Sequence, residues 1–119
     1  MVRKLTTLWI RSSVFATGER IPAKYTGEGP DVSPPLEWGG VPEGTAELAL
    51  ISDDNDAPRP SAFTHWVLHG LRPEAGGLEE GAVGDFCQGY NDYGTIGWRG
   101  PMPPVGHGTH YYYFWLFAL

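Results

Sequence analysis

Apolar and polar positions alternate along four stretches of the chain, with the two-residue period of a β-strand. These candidate strands cover about residues 6 to 12, 46 to 53, 63 to 69 and 110 to 119. The last two are rich in aromatic residues, and the second is rich in small and aliphatic ones. Gly or Pro interrupts almost every window long enough for three helical turns. The pattern therefore predicts a mainly β protein.

The last candidate strand lies in the segment GTHYYYFWLFAL, in which six of twelve residues are aromatic. Alternation divides its residues between two faces, with His110, Tyr112 and Phe114 on one and Tyr111, Tyr113 and Trp115 on the other. A strand that is apolar on both faces needs cover on both faces. We therefore expect other parts of the protein to pack on both faces of this strand.

Long irregular segments separate the strands. The chain has 17 glycines and 11 prolines, and the longest irregular segment runs from Pro73 to Thr109. Gly and Pro at this density favour loops, while a hydrophobic fraction of 41% with five tryptophans favours a packed fold. At 119 residues, the whole chain, 1–119, is expected to form a single domain.

Charge and composition exclude several classes of function. The net charge is −6 and there is no cluster of basic residues, which argues against a nucleic-acid partner. No apolar run approaches the ~20 residues that cross a bilayer, so no transmembrane segment is expected. Arg11 interrupts the apolar N-terminal stretch, which lacks the pattern of a signal peptide, and a cytoplasmic protein is expected.

The single cysteine, Cys87, is expected to be a half-buried structural thiol.

Two histidines lie in the strand segment FTHWVLH. Alternation puts His65 and His69 on the same face as Phe63 and Val67, so both imidazoles have apolar neighbours. A buried imidazole needs a hydrogen-bond partner. We expect His65 to be a hydrogen-bonded core residue and His69 to face solvent at the strand end.

Acidic and polar groups lie near the ends of other strands. Asp54 and Asp56 follow the apolar run LALI, at a place where aspartate usually forms a turn with its own backbone. Two such carboxylates repel each other unless a cation, a histidine or a ligand proton intervenes. His110 and Tyr112 point the same way if a strand begins near His110. These residues leave three kinds of site open: a His/Asp metal site, an acid-base site and an anion pocket.

Short motifs add little to this choice. No HxH or HExxH spacing supports a metal site, and neither a GxSxG elbow nor a phosphate-binding GxxxxGK[ST] loop occurs. The residues by themselves therefore identify no reaction.

An ordered series of fragments resembles a known family, the phosphatidylethanolamine-binding proteins, in their prokaryotic Raf kinase inhibitor-like branch. The resemblance runs from about Phe15 to the last residue. Its specific signature is DxDAP, then HW, then GPxPP, then HxY, in this order. The fragments that carry it are GERIPAKYTGEGPDVSPPLEW, VPEGT, LALISDDNDAP, FTHWVL, GYNDYGTIGWRGPMPP and GHGTHYYYFWLFAL.

The resemblance implies two antiparallel β-sheets, with long Gly/Pro-rich loops and a small anion-binding pocket at one end. It implies that His65, His110 and Tyr112 donate hydrogen bonds to a phosphate-like group, and that Gly100 lets the loop approach closely. The two aspartates either orient the histidines or face a ligand ammonium group. The implied ligand-binding residues are Asp54, Asp56, His65, Gly100, Pro101, His110 and Tyr112.

The chain departs from the family pattern at three places. Asn55 replaces the usual proline of DPDAP, Tyr111 stands where arginine is common, and relatives continue past the position of Leu119 into a helix and a strand. We therefore expect a fold that lacks the usual C-terminal segment. Its last segment is then a central strand that has lost its cover, which favours a homodimer.

The function implied by the resemblance is a non-enzymatic binding module. Its expected partner is a small phosphorylated ligand or a phospholipid head group, with no metal or cofactor and with an unknown protein partner. Two alternatives stay open. One is a metal-assisted hydrolase built from Asp54, Asp56, His65 and His110, and the other is a self-assembling domain with a vestigial pocket.

Overall fold

Two antiparallel sheets form the framework of the protein in the computed structural model, which describes residues 8–54, 63–101 and 112–119. The smaller sheet has the strand order β1-β2-β5 and the larger sheet the order β6-β4-β3-β7. The strands are β1 (Trp9–Arg11), β2 (Leu36–Gly39), β3 (Leu48–Asp54), β4 (Phe63–Leu71), β5 (Gly77–Leu78), β6 (Cys87–Gln88) and β7 (Tyr112–Ala118). Two single-turn 3₁₀ helices, Ala23–Tyr25 and Pro73–Ala75, interrupt the loops. The predicted mainly β fold of two antiparallel sheets is confirmed.

Periodicity identifies the longer strands and misses the short ones. Strands β1, β3, β4 and β7 coincide with the four predicted stretches. Strand β2 was missed because its four residues, LEWG, lie between prolines and glycines in a segment with the composition of a loop. Strands β5 and β6 have two residues each, which is too few for a detectable period.

The core lies between the facing sides of the two sheets. In β3, burial alternates from residue to residue, as expected of a strand with one face inward. The two sheets contribute large apolar side chains to one cluster, formed by Leu36, Trp38, Leu48, Leu50, Trp66, Leu68 and Leu71. Four of these, Leu48, Leu50, Trp66 and Leu68, are less than 2% exposed. Because the cluster draws on β2, β3 and β4, it joins the two sheets into one core.

A β-bulge in β4 breaks the simple alternation that the sequence suggests. Ser52 of β3 pairs with Trp66, but the next residue, Asp53, pairs with Thr64, so His65 is an extra residue in the ladder. His65 and Trp66 are consequently both buried, although strict alternation assigns them to opposite faces. The prediction that His65 is a core histidine is confirmed.

Strand β7 lies at the edge of the larger sheet among the described residues, not at its centre as predicted. Its inward side chains pack against the rest of the protein, and the ring centroids of Phe15 and Phe114 are 5.9 Å apart. Its outward side chains Tyr113, Trp115 and Phe117 are 43%, 46% and 44% exposed. The outer face of β7, formed by these three residues, is therefore an aromatic surface open to solvent.

Strand β6 corrects the expectation for the cysteine. Cys87 is exposed, and it pairs across the ladder with His69, which is also exposed. The prediction of a half-buried thiol is wrong, because β6 is a two-residue strand at the edge of the larger sheet among the described residues. The exposure of His69 agrees with its predicted solvent-facing position.

No helix in the described part of the chain is long and apolar enough to cross a membrane.

Candidate functional site

Three of the predicted site residues meet at one end of the larger sheet. Asp54 is the last residue of β3, and its cross-strand neighbours are Phe63 at the start of β4 and Tyr112 at the start of β7. Residues opposite each other in an antiparallel ladder point to the same face, so their side chains share one environment. Asp54 is only 4% exposed, and His65 follows two residues after Phe63. The register of two strand pairs thus brings Asp54, His65 and Tyr112 together.

The imidazole of His65 is fixed in one orientation by the backbone of the segment before Gly100. Its Nδ1 lies 2.7 Å from the carbonyl oxygen of Arg99, while the backbone N–H of Arg99 donates to the carbonyl of His65 at 3.2 Å. A carbonyl only accepts, so Nδ1 carries a hydrogen. In the neutral ring, Nε2 then has a lone pair and no hydrogen.

Burial governs the protonation of this histidine. His65 is 3% exposed, and desolvation lowers its pKa below the ordinary 6.5. The hydrogen bond to the Arg99 carbonyl and the carboxylates of Asp54, Asp31 and Asp53 act in the opposite direction and offset part of the lowering. The free protein therefore holds His65 neutral at pH 7.

This lowered pKa predicts a loss of stability in mild acid. The unfolded chain takes up a proton on this residue below about pH 6.5, whereas the folded chain does not until the pH reaches its lower pKa. The free energy of unfolding should therefore fall, by up to about 1.4 kcal/mol per pH unit, as the pH drops below 6.5. Urea unfolding between about pH 7 and 5 measures this slope. A slope unchanged in His65→Gln would contradict the assignment.

Aromatic rings surround the imidazole. The ring centroids of Phe63, Tyr112, Tyr93 and Trp98 lie 5.1, 5.4, 5.9 and 6.5 Å from that of His65. Tyr93 and Phe63 also contact each other edge to face, at 4.8 Å. Such packing limits the ring of His65 to one rotamer and lowers the local dielectric, which strengthens any hydrogen bond made there.

The predicted loop residues Gly100 and Pro101 are buried against the segment that follows the first 3₁₀ helix. The backbone N–H of Gly100 donates to Oδ1 of Asp31 at 2.8 Å, and the carbonyl of Pro101 accepts from Gly27 N–H at 3.2 Å. A Cβ at position 100 would overlap the carbonyl oxygen of Tyr25. Glycine is thus required at position 100 because the loop packs closely against the backbone of Tyr25.

Sequence reasoning missed several residues that build this site. Asp31 adopts a left-handed φ of 57°, which aspartate tolerates better than most residues, and its carboxylate accepts the Gly100 hydrogen bond. Asn91 is buried, and its side chain accepts from the N–H groups of Tyr93 and Thr95 and donates to the Gly97 carbonyl. The sequence signal for these residues is the presence of Asp and Asn in Gly/Pro-rich stretches. This signal predicts turns, but it does not predict which other residues the turns contact.

Tyr93 connects the turn to the loop. Its hydroxyl donates to the Gly100 carbonyl at 3.3 Å, and the guanidinium carbon of Arg99 lies 5.0 Å from its ring centroid. Burial raises the pKa of the Tyr93 hydroxyl, so it stays protonated and remains a donor at neutral pH.

A large cavity borders this site. It has a volume of about 1010 Å³ and is lined mainly by the N-terminal segment, with Pro101 and Tyr112 on its wall. His65 and Asp54 are not among its lining residues. The buried polar groups therefore lie beside the cavity and outside its lining.

Two predicted site residues, Asp56 and His110, lie outside the described residues, as do Asn55 and Tyr111. Within the ranges 8–54, 63–101 and 112–119, no group of three or more His, Cys, Asp or Glu side chains is arranged to hold a metal ion.

Comparison with known proteins identifies the family. The family model described as phosphatidylethanolamine-binding protein matches residues 11–119, which is most of the chain. The chain belongs to the phosphatidylethanolamine-binding protein family. The predicted family resemblance is confirmed.

Individual relatives agree with this membership. A UPF0098 protein of Methanothermobacter thermautotrophicus is 47% identical over 116 residues, covering 92% of this chain and 75% of its own length. Among solved structures, CT736 of Chlamydia trachomatis is 37% identical with a TM-score of 0.89, and the match covers 97% of this chain and 76% of that one. YbcL of Escherichia coli is 34% identical with a TM-score of 0.88, over 94% and 76% of the two chains.

The chain is shorter than its relatives. It spans 66% of a UPF0098 protein from Aquifex aeolicus and 58% of one from Pyrococcus horikoshii.

Proposed function

We propose that the protein is a non-enzymatic binding module that holds a small phosphorylated ligand or a phospholipid head group at the end of the larger sheet. The observation that carries the proposal is the buried, oriented imidazole of His65 beside Asp54 and Tyr112. A rigid imidazole and a phenol in a low-dielectric setting are suited to holding phosphate oxygens. Occupancy of this site would then modulate a protein partner.

Complementary charges support a head group that carries both signs. Phosphate oxygens need donors, which Tyr112 and a proton-bearing His65 provide. The carboxylates of Asp54 and Asp31 act on His65 electrostatically, so they lie close enough to favour a positive group in the same pocket. Phosphoethanolamine joins a phosphate to an ammonium group and is the smallest probe that tests both halves. By the family resemblance, the proposed pocket also contains Asp56, Gly100, Pro101 and His110.

The Tyr112 hydroxyl is expected to contribute directly to affinity. Tyr112→Phe removes one donor and keeps the ring that packs against His65. Loss of a hydrogen bond to a charged group weakens binding by about 1.5–3 kcal/mol, which is more than tenfold in the dissociation constant. Calorimetric titration with phosphoethanolamine measures the change. An affinity equal to that of the unaltered protein would remove Tyr112 from the pocket.

The aromatic outer face of β7 supports a second proposal, that the protein forms a homodimer. Tyr113, Trp115 and Phe117 are each more than 40% exposed on one strand face, beside a sheet edge. A second copy offers an identical apolar face, which is the requirement of a two-fold contact. Light scattering at micromolar concentration should give twice the chain mass, and Phe117→Ser should lower it. A monomeric mass for the unaltered protein would overturn the proposal.

A cytoplasmic location of the protein stays a prediction.

A further inference from the structure

The hydrogen bond at Nδ1 of His65 limits what the other ring nitrogen can do. Nδ1 donates to the Arg99 carbonyl at 2.7 Å, so neutral His65 has no hydrogen on Nε2. A fully ionised phosphate group has no hydrogen either. Neutral His65 and a fully ionised phosphate therefore cannot form a hydrogen bond at Nε2. One of the two must first gain a proton.

We propose that the pocket binds a phosphate group together with one proton, which is shared between Nε2 of His65 and a phosphate oxygen. This inference rests on the proposed function and specifies its ligand class. The ligand is a phosphate monoester or inorganic phosphate, whose second ionisation lies near neutral pH, rather than an anion that stays fully ionised. Whether the proton arrives on the ligand or on the imidazole, the complex has the same composition.

The surroundings of His65 favour this proton-bearing complex. Asp54 of β3 and Asp31 of its loop act on it electrostatically, and Asp53, whose carboxylate accepts from Trp115 on the outer face of β3, contributes less. These negative charges disfavour a dianion and favour a complex with one more proton. From the other elements, the ring of Tyr112 packs on it from β7, while Tyr93 and Arg99 reach it from the segment before Gly100. Tyr93 is protonated at neutral pH, and the cation among these described residues is Arg99, whose carbonyl contacts Nδ1 while its guanidinium lies over the ring of Tyr93.

The source of the proton follows from the state of the free site. Burial lowers the pKa of His65, so the empty pocket does not hold this proton at neutral pH. The proton must be taken up with the ligand, from solution or on the phosphate itself. Above the second ionisation of a phosphate monoester, at about pH 6, the affinity should fall about tenfold per pH unit.

Sulfate provides a matched probe. It has the tetrahedral shape and the double negative charge of the phosphate dianion, but it carries no proton near neutral pH. A pocket that simply attracts anions should bind the two about equally. Proton sharing instead predicts that inorganic phosphate binds at least about tenfold tighter than sulfate at about pH 6.5.

The proton itself can be counted by calorimetry. Titration of the full chain with phosphoethanolamine at about pH 8, in two buffers of different ionisation enthalpy, should give an uptake of about one proton per ligand bound. The same titration of His65→Gln, whose amide donates without titrating, should give binding with the uptake lost. If His65→Gln does not fold, the pH series and the sulfate comparison on the unaltered protein test the same inference.

The outcomes distinguish failure of the proton-sharing inference from failure of the proposed function. Phosphoethanolamine binding without proton uptake, or uptake that persists in folded His65→Gln, would overturn the inference and leave the proposed function standing. Equal affinity for phosphate and sulfate would do the same. No binding of phosphoethanolamine or phosphate at any pH would overturn the proposed function, and the inference with it.

Discussion

Replacing Gly100 with alanine is expected to destabilise the fold by about 3–5 kcal/mol. The new Cβ would overlap the carbonyl oxygen of Tyr25 and crowd the carboxylate of Asp31, and neither can retreat cheaply. The Asp31 carboxylate accepts the backbone N–H of Gly100, so moving the loop also breaks that hydrogen bond. A domain of this size has only about 5–15 kcal/mol of total stability, so the midpoint of unfolding should drop sharply.

Gly84→Ala is the matched control for this substitution. A Cβ at position 84 would meet only the side chain of Phe86, at an ordinary contact distance of 3.5 Å. We expect its stability to stay within about 0.5 kcal/mol of the unaltered protein. Urea unfolding of the two variants in parallel measures the difference. If Gly100→Ala costs no more than Gly84→Ala, the packing of the loop against residues 25–31 is wrong.

Removing the imidazole of His65 is the second large effect. His65→Ala leaves a cavity among four aromatic rings and leaves the Arg99 carbonyl without its side-chain donor. Loss of the buried ring and of the hydrogen bond together should cost about 3–5 kcal/mol of stability. Thermal unfolding measures the loss.

A folded His65→Ala also separates a structural role from a binding role. Measured on the fraction that stays folded, phosphoethanolamine affinity should fall more than tenfold, since a charge-assisted hydrogen bond is worth about 1.5–3 kcal/mol. Exposed His69, on the same strand, offers the control: His69→Ala should leave both stability and affinity nearly unchanged. Stability loss in His65→Ala with unchanged affinity would mean that the histidine is only structural.

The long strands of this fold were predictable because burial on one face imposes a two-residue period. Strand β3 shows this plainly, with buried and half-buried residues in strict alternation along LALISDD. Strand β2 was not predictable, since LEWG is too short to show a period and its burial depends on Trp38 joining a core built mostly from β3 and β4. Cys87 was misjudged for a related reason. The exposure of an edge strand depends on which strands lie beside it, and that information is not local.

The site was predictable in part. The type of environment around His65 follows from an imidazole among apolar neighbours, and the fold confirms it. The bulge that makes His65 an extra residue does not follow, because it arises from the pairing of Ser52 with Trp66 and of Asp53 with Thr64. Asp31 could not be linked to the site from sequence either, since it lies 69 residues before Gly100, whose N–H it accepts. Contacts over that separation are set by the packing of the two sheets.

Whether His65 contacts a phosphorylated ligand can be measured by titrating the protein with phosphoethanolamine at about pH 6 and following the histidine ring signals by NMR. We expect the ring signals of His65 to shift and to saturate with one ligand per chain, and the shift at the same ligand concentration to be much smaller in Tyr112→Phe or His110→Ala. Unmoved His65 signals at millimolar phosphoethanolamine, in a protein that remains folded, would contradict it.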